Sequence, residues 1–434
     1  MKSKQHIRWF RNSAPYINAH QGKTFVLMFD GEATSHLNFP NVIHDIALLC
    51  SLGVRIVLIH GSRPQIASRL SERGIKSQFH NGLRVTDSAA LQCVTEATGA
   101  QRAKIEALLS TGLPNSPMHG AHIKVCGGNY VTARPLGIHD GIDYLNTGVV
   151  RHVYTQGIKR QLDDNAIVLL SPLGYSATGE IFNLPLENVA TQTAIALSAD
   201  KLIVFGNQVG LTDSDGDLVR QCKLSEAKEY LKELAKTSQY SMLKAACNSC
   251  EAGIERCHVI SYEDDCALLE ELFTYDGSGT LINHDGFEQS RSANIDDVGG
   301  ILELIKPLEE NGILVKRSRE LLETEINHFT ILERDGRIVA CAALYPYPHE
   351  NYGELACIVT HNEYRNGNRG DRLLAELEVQ ARNIGLNSLF VLTTQTAHWF
   401  LERGFEESPI EQLPTTKQEL YNYQRGSKAF VKYL

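Results

Sequence analysis

The chain has 434 residues, 42 of them basic and 51 acidic, and a formal net charge of -9. This length predicts two compact domains with a sizeable core in each, and the acidic balance disfavours nucleic acids and anionic membranes as partners. The ten cysteines are scattered, and the lone C-x-x-C of Cys247 and Cys250 lacks the partners of a zinc site. We therefore predict no metal site.

The N-terminal segment MKSKQHIRWFRNSAPYINAH lacks the apolar stretch and the small-residue cleavage site of a secretory signal. No apolar run approaches the roughly 18 residues that cross a bilayer. These features predict a cytoplasmic protein with free thiols and no membrane partner.

Short apolar runs alternate with helix-like segments through the first half of the chain. Two such runs, FVLMFDGEA and VRIVLIHGSRPQ, each precede a helical stretch, the first from Val42 to Leu52 and the second through Arg73. Further buried-strand candidates are AIVLLSPLG (166–174), KLIVFG (201–206) and CHVIS (257–261). This alternation predicts a three-layer α/β sandwich, with a mainly parallel sheet covered by helices on both faces.

A second pattern begins after the polar, glycine-containing stretch TLINHDGFEQSRSA. We place the first domain at residues 1–285, a linker at 286–292 and the second domain at 293–434. The second domain opens with predicted helices over 296–311 and 318–326. A predicted β-hairpin with an Asp335-Gly336 turn follows, so this domain is expected to be α+β.

Three turns of the first domain have the composition of anion-binding loops: Asp30-Gly31-Glu32-Ala33, His60-Gly61-Ser62-Arg63-Pro64 and NGLRVTD (81–87). A turn between a strand and a helix N-terminus offers backbone N–H groups to an anion. Each turn taken alone is equally consistent with a simple connection between strand and helix.

Together with LTDSDGD (211–217), these turns resemble the amino acid kinase family, in particular acetylglutamate kinase, across about residues 20 to 285. That resemblance implies a lysine after the first strand, where this chain has Asp30. Phosphoryl transfer needs cationic groups at the transferring phosphate, so we expect a kinase fold without kinase chemistry.

The helix that ends at His20, together with His258 and the segment 269–280, resembles the arginine-feedback element of arginine-sensitive acetylglutamate kinases and synthases. The resemblance implies an L-arginine site formed by Tyr16, His258, Glu271 and Gly277. A carboxylate such as Glu271 is suited to pair with a guanidinium, although a solvated helix residue is the ordinary alternative.

A basic, glycine-containing turn precedes an amphipathic helix in the second domain. It consists of Arg365, Asn366, Gly367, Asn368, Arg369 and Gly370. Backbone N–H groups at a helix N-terminus suit a pyrophosphate, and Arg365 and Arg369 are expected to add positive charge. Without a P-loop lysine this suggests coenzyme A. The turn resembles the R-x-x-G-x-G/A signature of the GCN5-related N-acetyltransferases, with Asn368 at the middle glycine position.

The segments around this turn follow the same family order. The strand 354–360 precedes it, the strand 388–394 follows the helix, and AHWFLERGF (397–405) resembles the A-x-x-F-Y-x-x-x-G-F ending of that superfamily. Core packing alone accounts for Trp399, Phe400 and Phe405, but it does not account for the order of all the elements.

A kinase-like domain followed by such an acetyltransferase resembles the bacterial N-acetylglutamate synthase family over essentially the whole chain. The resemblance implies acetyl transfer from acetyl-CoA to the α-amino group of L-glutamate, inhibition by L-arginine, and a homo-hexamer. Two alternatives stay open from the residues alone: an arginine-sensing regulatory protein that only binds coenzyme A, and an acetylglutamate kinase.

The amine of glutamate must lose a proton before it attacks a thioester, so a general base is required. The family resemblance assigns this role to Glu354, whose ordinary alternative is an exposed strand-end salt bridge. Backbone N–H groups of Cys357, Ile358 and Val359, freed by a bulge, are candidate donors to the oxyanion.

The departing thiolate needs a hydrogen-bond donor, and Phe400 stands where many relatives have a tyrosine. The family position of Thr393 makes its hydroxyl the candidate. Glutamate carries two carboxylates, which a planar guanidinium binds with two hydrogen bonds. Arg317 and Arg425 match the carboxylate-binding positions of the family, with solvated surface charges as the alternative.

Overall fold

The computed structural model describes residues 10–434 apart from 12, 115, 117, 214, 235–237, 275, 284–287, 335–336, 365–367 and 420–425. The chain divides into two compact units, Met1–Gly286 and Phe287–Leu434. Each unit is described by itself below.

The helices of the first unit are α1 (Ala14–His20), α2 (Phe39–Ser51), α3 (Arg63–Glu72), α4 (Ser88–Leu109), α5 (Thr155–Asp163), α6 (Leu186–Leu197), α7 (Leu224–Glu233), α8 (Ser238–Glu251) and α9 (Ala267–Phe273). Its strands are β1 (Thr24–Phe29), β2 (Arg55–His60), β3 (Gln78–His80), β4 (Leu83–Val85), β5 (Lys124–Cys126), β6 (Val131–Pro135), β7 (Ile138–His139), β8 (Ile142–Asp143), β9 (Gly148–Val153), β10 (Ala166–Leu170), β11 (Leu173–Tyr175), β12 (Ile181–Asn183), β13 (Lys201–Gly206), β14 (Gln221–Lys223), β15 (Arg256–Ser261) and β16 (Thr280–Asn283).

The central sheet of the first unit is mainly parallel, which confirms the predicted fold. Its described strands run in the order β14-β16-β15-β13-β1-β2-β10-β5, and β15 with β16 is the antiparallel pair. Alternate residues of β1 enter two different cores, Val26 and Met28 on one face and Phe25 and Leu27 on the other. Because both faces are apolar, helices cover both and produce three layers.

The helices of the second unit are α10 (Val298–Glu310), α11 (Arg319–Glu325), α12 (Arg369–Asn383), α13 (Ala397–Leu401) and α14 (Thr415–Glu419). Its strands are β17 (Gln289–Ser292), β18 (Phe329–Arg334), β19 (Arg337–Tyr347), β20 (Tyr352–Thr360), β21 (Ser388–Thr393), β22 (Glu406–Ser408) and β23 (Lys428–Tyr433). They form one sheet in the order β17-β18-β19-β20-β21-β23-β22. Strands β20 and β21 pair in parallel, and the other pairs are antiparallel, as an α+β fold requires.

The stretch expected to be a linker, 286–292, requires a correction. Its residues 289–292 form β17, which pairs with β18 at the edge of the second sheet. Arg291 in this strand is held by Asp297 and Glu333. A polar edge strand lacks the apolar run that reveals a buried strand, because ion pairs rather than core contacts stabilise its side chains.

No helix in the described parts of the chain combines the length and the apolar character needed to cross a membrane.

Candidate active site

Strands β20 and β21 separate in the middle of the second sheet. Their pairing ends at Leu355 with Val391, although β20 continues to Thr360 and β21 to Thr393. Beyond this point β21 pairs with β23 and β20 pairs with β19. The two strands therefore open a cleft whose walls carry backbone groups that are not paired across it.

A β-bulge lies on β20 where the cleft begins. Cys341 of β19 faces Val359, and Ala343 faces Ala356, so two residues of β20 stand opposite one residue of β19. Cys357 has a φ of +50°, which is uncommon for a residue with a side chain. The bulge interrupts the regular ladder at Cys357 and Ile358, whereas Val359 remains paired with Cys341.

Glu354 and Arg317 both influence the thiol of Cys357. Burial raises the pKa of this thiol to about 11, Arg317 lowers it, and the carboxylates of Glu309, Glu325 and Glu354 raise it further. Because both side chains act on the thiol of Cys357, the predicted base and a predicted carboxylate-binding arginine lie near the same bulge.

Arg317 is half-buried, and one guanidinium nitrogen donates to the carbonyl of Val315 at 3.2 Å. Its backbone N–H donates to Glu309 Oε1 at 2.8 Å, which fixes the segment between α10 and α11. No ion pair joins the Arg317 side chain to a carboxylate of the described residues. Burial lowers the pKa of Arg317, but the neighbouring Cys357, Tyr345 and Glu325 raise it overall, and the Tyr345 hydroxyl is a hydrogen-bond partner of the guanidinium.

Glu354 is buried on β20 and both of its oxygens have partners. Lys417 places its ammonium 2.6 Å from Oε1, and the Tyr347 hydroxyl donates to Oε2 at 3.2 Å. The residue forms a salt bridge, but it is only 8% exposed, so it is not the exposed strand-end glutamate of the ordinary alternative.

Thr393 ends β21 on the other side of the cleft. Its hydroxyl oxygen accepts the backbone N–H of Thr396 at 3.1 Å and lies 2.9 Å from the Thr396 hydroxyl. Accepting from the backbone orients the hydroxyl, and its proton can be donated to a ligand when the Thr396 hydroxyl is the donor within this pair. Phe400 is buried against Phe405 and Trp399, so it has a packing role.

The N-terminus of α12 contains the described part of the predicted pyrophosphate turn. Asn368 is the N-cap residue, with a φ of +50°. Arg365, Asn366 and Gly367 lie outside the described residues, as does Arg425.

Arg369 corrects one expectation about this turn. Its guanidinium is buried, donates to Glu288 Oε1 at 2.7 Å and to the Tyr364 carbonyl at 2.7 Å, and lies over the Tyr364 ring. Its charge is thereby neutralised inside the unit, and only its backbone remains suited to a phosphate. Gly370 is required by packing, since a Cβ there would lie 2.9 Å from the Trp399 ring.

In the first unit, His258 and Glu271 form a buried pair, each side chain being 5% exposed. His258 Nδ1 lies 2.6 Å from Glu271 Oε1, and the backbone N–H groups of Ser278 and Gly279 donate to Oε2 at 2.8 and 2.9 Å. Burial raises the pKa of Glu271, but these hydrogen bonds outweigh it and lower the pKa overall.

Three hydrogen bonds occupy most of the roughly four acceptor positions of the Glu271 carboxylate. Glu271 therefore holds the turn after α9, and it offers little capacity to grip a guanidinium with both oxygens. Gly277, with a φ of +65°, is essential to that turn, because a Cβ would lie 2.5 Å from Glu271 Oε2.

Arg220, His258 and Tyr16 also lie around the predicted arginine site, and they differ in their hydrogen bonding and packing. Arg220 donates to the carbonyls of Asp276 and Gly277 at 2.9 and 2.8 Å, so a guanidinium of the chain already contacts Gly277. Nε2 of His258 is buried without a hydrogen-bond partner among the described residues. Tyr16 is half-buried on α1, where it packs against the core beneath α9.

Asp30 follows the end of β1, where the resemblance to the kinases implies a lysine. Its carboxylate accepts the backbone N–H groups of Glu32 and Ala33, both at 3.0 Å. Burial raises its pKa. Gly31 and Gly61 are in close backbone contact, since a Cβ on Gly61 would lie 2.8 Å from the Gly31 nitrogen. These turns connect strands to the helices that follow, and Asp30 caps the turn after β1. Its carboxylate cannot provide the positive charge that phosphoryl transfer needs.

Comparison with known proteins is consistent with this two-part architecture. The amino acid kinase family matches residues 23–261, and the acetyltransferase (GNAT) family matches residues 300–405. The amino-acid acetyltransferase of Azotobacter vinelandii is 56% identical over 431 residues, which is 99% of this chain and 100% of that protein. The chain belongs to the amino-acid acetyltransferase family.

Other members of the amino-acid acetyltransferase family are similarly related. The Pseudomonas putida (strain GB-1) protein of that name is 55% identical and covers 99% of both chains. The crystal structure of N-acetylglutamate synthase from Neisseria gonorrhoeae complexed with coenzyme A and L-arginine has a TM-score of 0.89 at 36% identity over 99% of both chains. The same enzyme complexed with coenzyme A and N-acetyl-glutamate has a TM-score of 0.63 at equal identity and coverage.

Sequence reasoning missed two contacts of Glu354 in this acetyltransferase. Tyr347 is diagonal to Glu354 across the β19–β20 pair, where Tyr345 is directly opposite. The hairpin register, once predicted, would have indicated it. Lys417 lies in the polar segment TTKQE, whose sequence gives no signal of proximity to a site 63 residues away.

No group of three or more His, Cys, Asp or Glu side chains in the described ranges has the arrangement of a metal site. Cys247 and Cys250 are buried in the core of the first unit.

Proposed function

We propose that this chain transfers the acetyl group of acetyl-CoA to the α-amino group of L-glutamate, which yields N-acetyl-L-glutamate and coenzyme A in the first step of arginine biosynthesis. The observation that carries the proposal is the cleft that opens between β20 and β21, with Glu354 on β20 just before the strands separate and Thr393 at the end of β21. The family membership and the ligands named for the Neisseria gonorrhoeae structures support this choice of substrates.

In the proposed reaction Glu354 accepts a proton from the glutamate ammonium, and the resulting amine attacks the thioester carbonyl carbon. Backbone N–H groups of Cys357, Ile358 and Val359 stabilise the developing oxyanion, because fixed donors there need no reorganisation. The tetrahedral intermediate then collapses with cleavage of the C–S bond, the nitrogen loses its remaining extra proton to the departing thiolate, and the Thr393 hydroxyl donates a hydrogen bond to that sulfur. Preorganisation by the Thr396 backbone N–H supports this role.

We assign the glutamate carboxylates to Arg317 and Arg425. The lack of an ion-pair partner for Arg317 among the described residues supports its part. The turn 365–370 is proposed to receive the pyrophosphate of coenzyme A, with the N-terminus of α12 providing N–H groups and a favourable dipole.

We further propose that L-arginine inhibits the enzyme by binding the first unit near Tyr16, His258, Glu271 and Gly277. The unsatisfied Nε2 of His258 supports this assignment, because a buried polar atom without a partner costs free energy that a ligand can recover. Glu271 and Arg220 already form hydrogen bonds to the backbone of the same turn, which leaves them little capacity for a ligand. We therefore propose that Glu271 shapes the site and does not itself bind L-arginine with both oxygens. A homo-hexamer built on the first unit and a cytoplasmic location complete the proposal.

The direct test measures release of the coenzyme A thiol from acetyl-CoA with L-glutamate, L-aspartate, L-glutamine or no acceptor, and adds L-arginine last. We expect release that depends on L-glutamate and is suppressed by L-arginine. Absence of release with every amino acid would favour a sensor that only binds coenzyme A. A parallel assay of ATP turnover with N-acetyl-L-glutamate distinguishes the kinase alternative, for which Asp30 predicts no activity.

A further inference from the structure

Lys417 faces the proposed catalytic base directly. Its Nζ lies 2.6 Å from Oε1 of Glu354, and the two side chains are 22% and 10% exposed. Such a partly buried pair is shielded from the water that weakens surface ion pairs. Glu354 therefore already contacts a cation of its own chain through one of the two oxygens that can accept a proton.

The fold places Lys417 at this position. Thr415, at the start of α14, donates its backbone N–H to Glu350 Oε1 at 3.1 Å, and the Gln418 amide donates to the Leu413 carbonyl at 2.7 Å. Leu413 is buried in the cluster around Phe390, whose ring lies 5.8 Å from that of Tyr347. The same cluster thus supports both α14 and the tyrosine that contacts Glu354.

The charges of an amino-acid substrate match this arrangement. The α-amine arrives as an ammonium and requires Glu354, so it competes with Lys417 for the same oxygen. The α-carboxylate arrives with it and attracts the lysine. Standard geometry puts the amine nitrogen roughly 3 Å from a carboxylate oxygen of the same amino acid, so an ammonium bound at Oε1 brings its carboxylate next to Lys417.

We propose that Lys417 is a substrate-binding residue that leaves Glu354 when the α-ammonium takes its place, and that it then pairs with the substrate α-carboxylate alongside one of the two arginines assigned above. The exchange conserves charge, because one ammonium replaces another at Glu354 while a new ion pair forms beside it. Glu354 then accepts the substrate proton, and Lys417 keeps its own protons throughout. The inference rests on the proposed function, which it extends to selection of an amino acid with a free α-carboxylate.

The test compares Lys417→Met with a matched control, Lys432→Met. Lys432 forms a similar pair in the same unit, with Nζ 2.6 Å from Glu378 Oε1 and side chains 24% and 15% exposed. We expect kcat/KM for L-glutamate to fall about 10- to 100-fold in Lys417→Met, mainly through KM, as for loss of a charge-assisted hydrogen bond. The KM for acetyl-CoA should stay unchanged, and Lys432→Met should behave as the unsubstituted enzyme.

A substrate comparison separates binding of the α-carboxylate from mere positioning of Glu354. In the unsubstituted enzyme, replacing the α-carboxylate by an amide should reduce kcat/KM, and in Lys417→Met that penalty should become clearly smaller. The penalty for a γ-amide should be equal in both. Lys417→Arg, which keeps the charge, should keep the discrimination against the α-amide even if the methionine variant folds poorly.

Two results would overturn the inference. One is a full α-amide penalty in Lys417→Met, and the other is a fall in kcat that is equal for all acceptors at unchanged KM. Normal glutamate-dependent release in the unsubstituted enzyme alongside either result would leave the proposed function standing. No release from the unsubstituted enzyme would instead overturn the proposed function itself.

Discussion

Each unit buries a carboxylate, and the two are held in different ways. Glu271 in the first unit accepts two backbone N–H groups and contacts His258. Glu354 in the second unit contacts the side chains of Lys417 and Tyr347. A backbone donor stays where the chain places it, whereas an ammonium on a long side chain can move to another partner. The comparison predicts that Glu271 contributes to architecture and Glu354 to chemistry.

The largest expected effect follows from removing the proposed base. Glu354→Gln keeps the shape of the side chain but removes its ability to accept a proton, so we expect kcat to fall by about 10² to 10⁴. The thermal unfolding midpoint should change little. Thiol release and thermal unfolding are the measurements, with Glu378→Gln as the control that loses a comparable lysine pair. An unaltered kcat in Glu354→Gln would assign the residue to structure and end the comparison.

Substitution of Glu271 tests whether this carboxylate stabilises the fold of the first unit. Glu271→Ala leaves two backbone N–H groups and His258 without their buried acceptor, so we expect the first unit to lose about 3 to 5 kcal/mol of stability. Urea unfolding followed by a probe in that unit measures the loss. Glu251→Ala, which breaks the exposed pair with Lys228, should cost under about 1 kcal/mol. Equal effects of the two substitutions would show that the Glu271 pair does not support the fold.

The buried polar interior of the first unit also predicts sensitivity to acid. Burial lowers the pKa of His60 to about 4, below the ordinary value of 6.5, so the unfolded chain binds the proton more readily. Stability should therefore be fully present above pH 6.5 and should fall as the pH drops toward 4, by about 3 kcal/mol in total.

His60→Gln should reduce the change in the free energy of unfolding between pH 4 and 6.5, because glutamine does not titrate. Unfolding by urea at a series of pH values in the enzyme and the variant makes the measurement. Parallel slopes between pH 4 and 6.5 would exclude His60 as the source.

The smallest expected effect concerns Thr393. Its proposed role is a single hydrogen bond to the leaving thiolate, so its loss should slow the reaction without stopping it. Thr393→Val should lower kcat about 10- to 100-fold at unchanged KM values, and Thr393→Ser should retain most of the rate. Steady-state thiol release with both substrates varied provides the measurement. Undiminished turnover in the valine variant would remove Thr393 from the mechanism.

Local pattern was enough to predict much of the fold. Apolar runs with glycine-containing turns indicated β1, β2, β10, β13 and β15, because buried parallel strands are apolar on both faces. The polar edge strand β17 lacks that signal. Motif reading also located the Glu354 strand and the α12 turn.

Side-chain partners were harder to predict from the sequence. Arg369 was expected to contribute charge to a phosphate, but its partner Glu288 lies 81 residues away in the chain. Lys417 reaches Glu354 from a segment that reads as an ordinary polar helix. Such pairs depend on tertiary packing, which neither local propensity nor residue spacing specifies.

The central claim is acetyl transfer to the α-amine of glutamate, and identification of the product tests it most directly. The enzyme would be incubated with α-¹⁵N-labelled L-glutamate and acetyl-CoA labelled with ¹³C in the acetyl group, and the products would be analysed by NMR. We predict a one-bond coupling between ¹⁵N and the labelled carbonyl carbon, which should appear at least about 100-fold more slowly in Glu354→Gln. Coenzyme A release that yields only free labelled acetate would contradict the account.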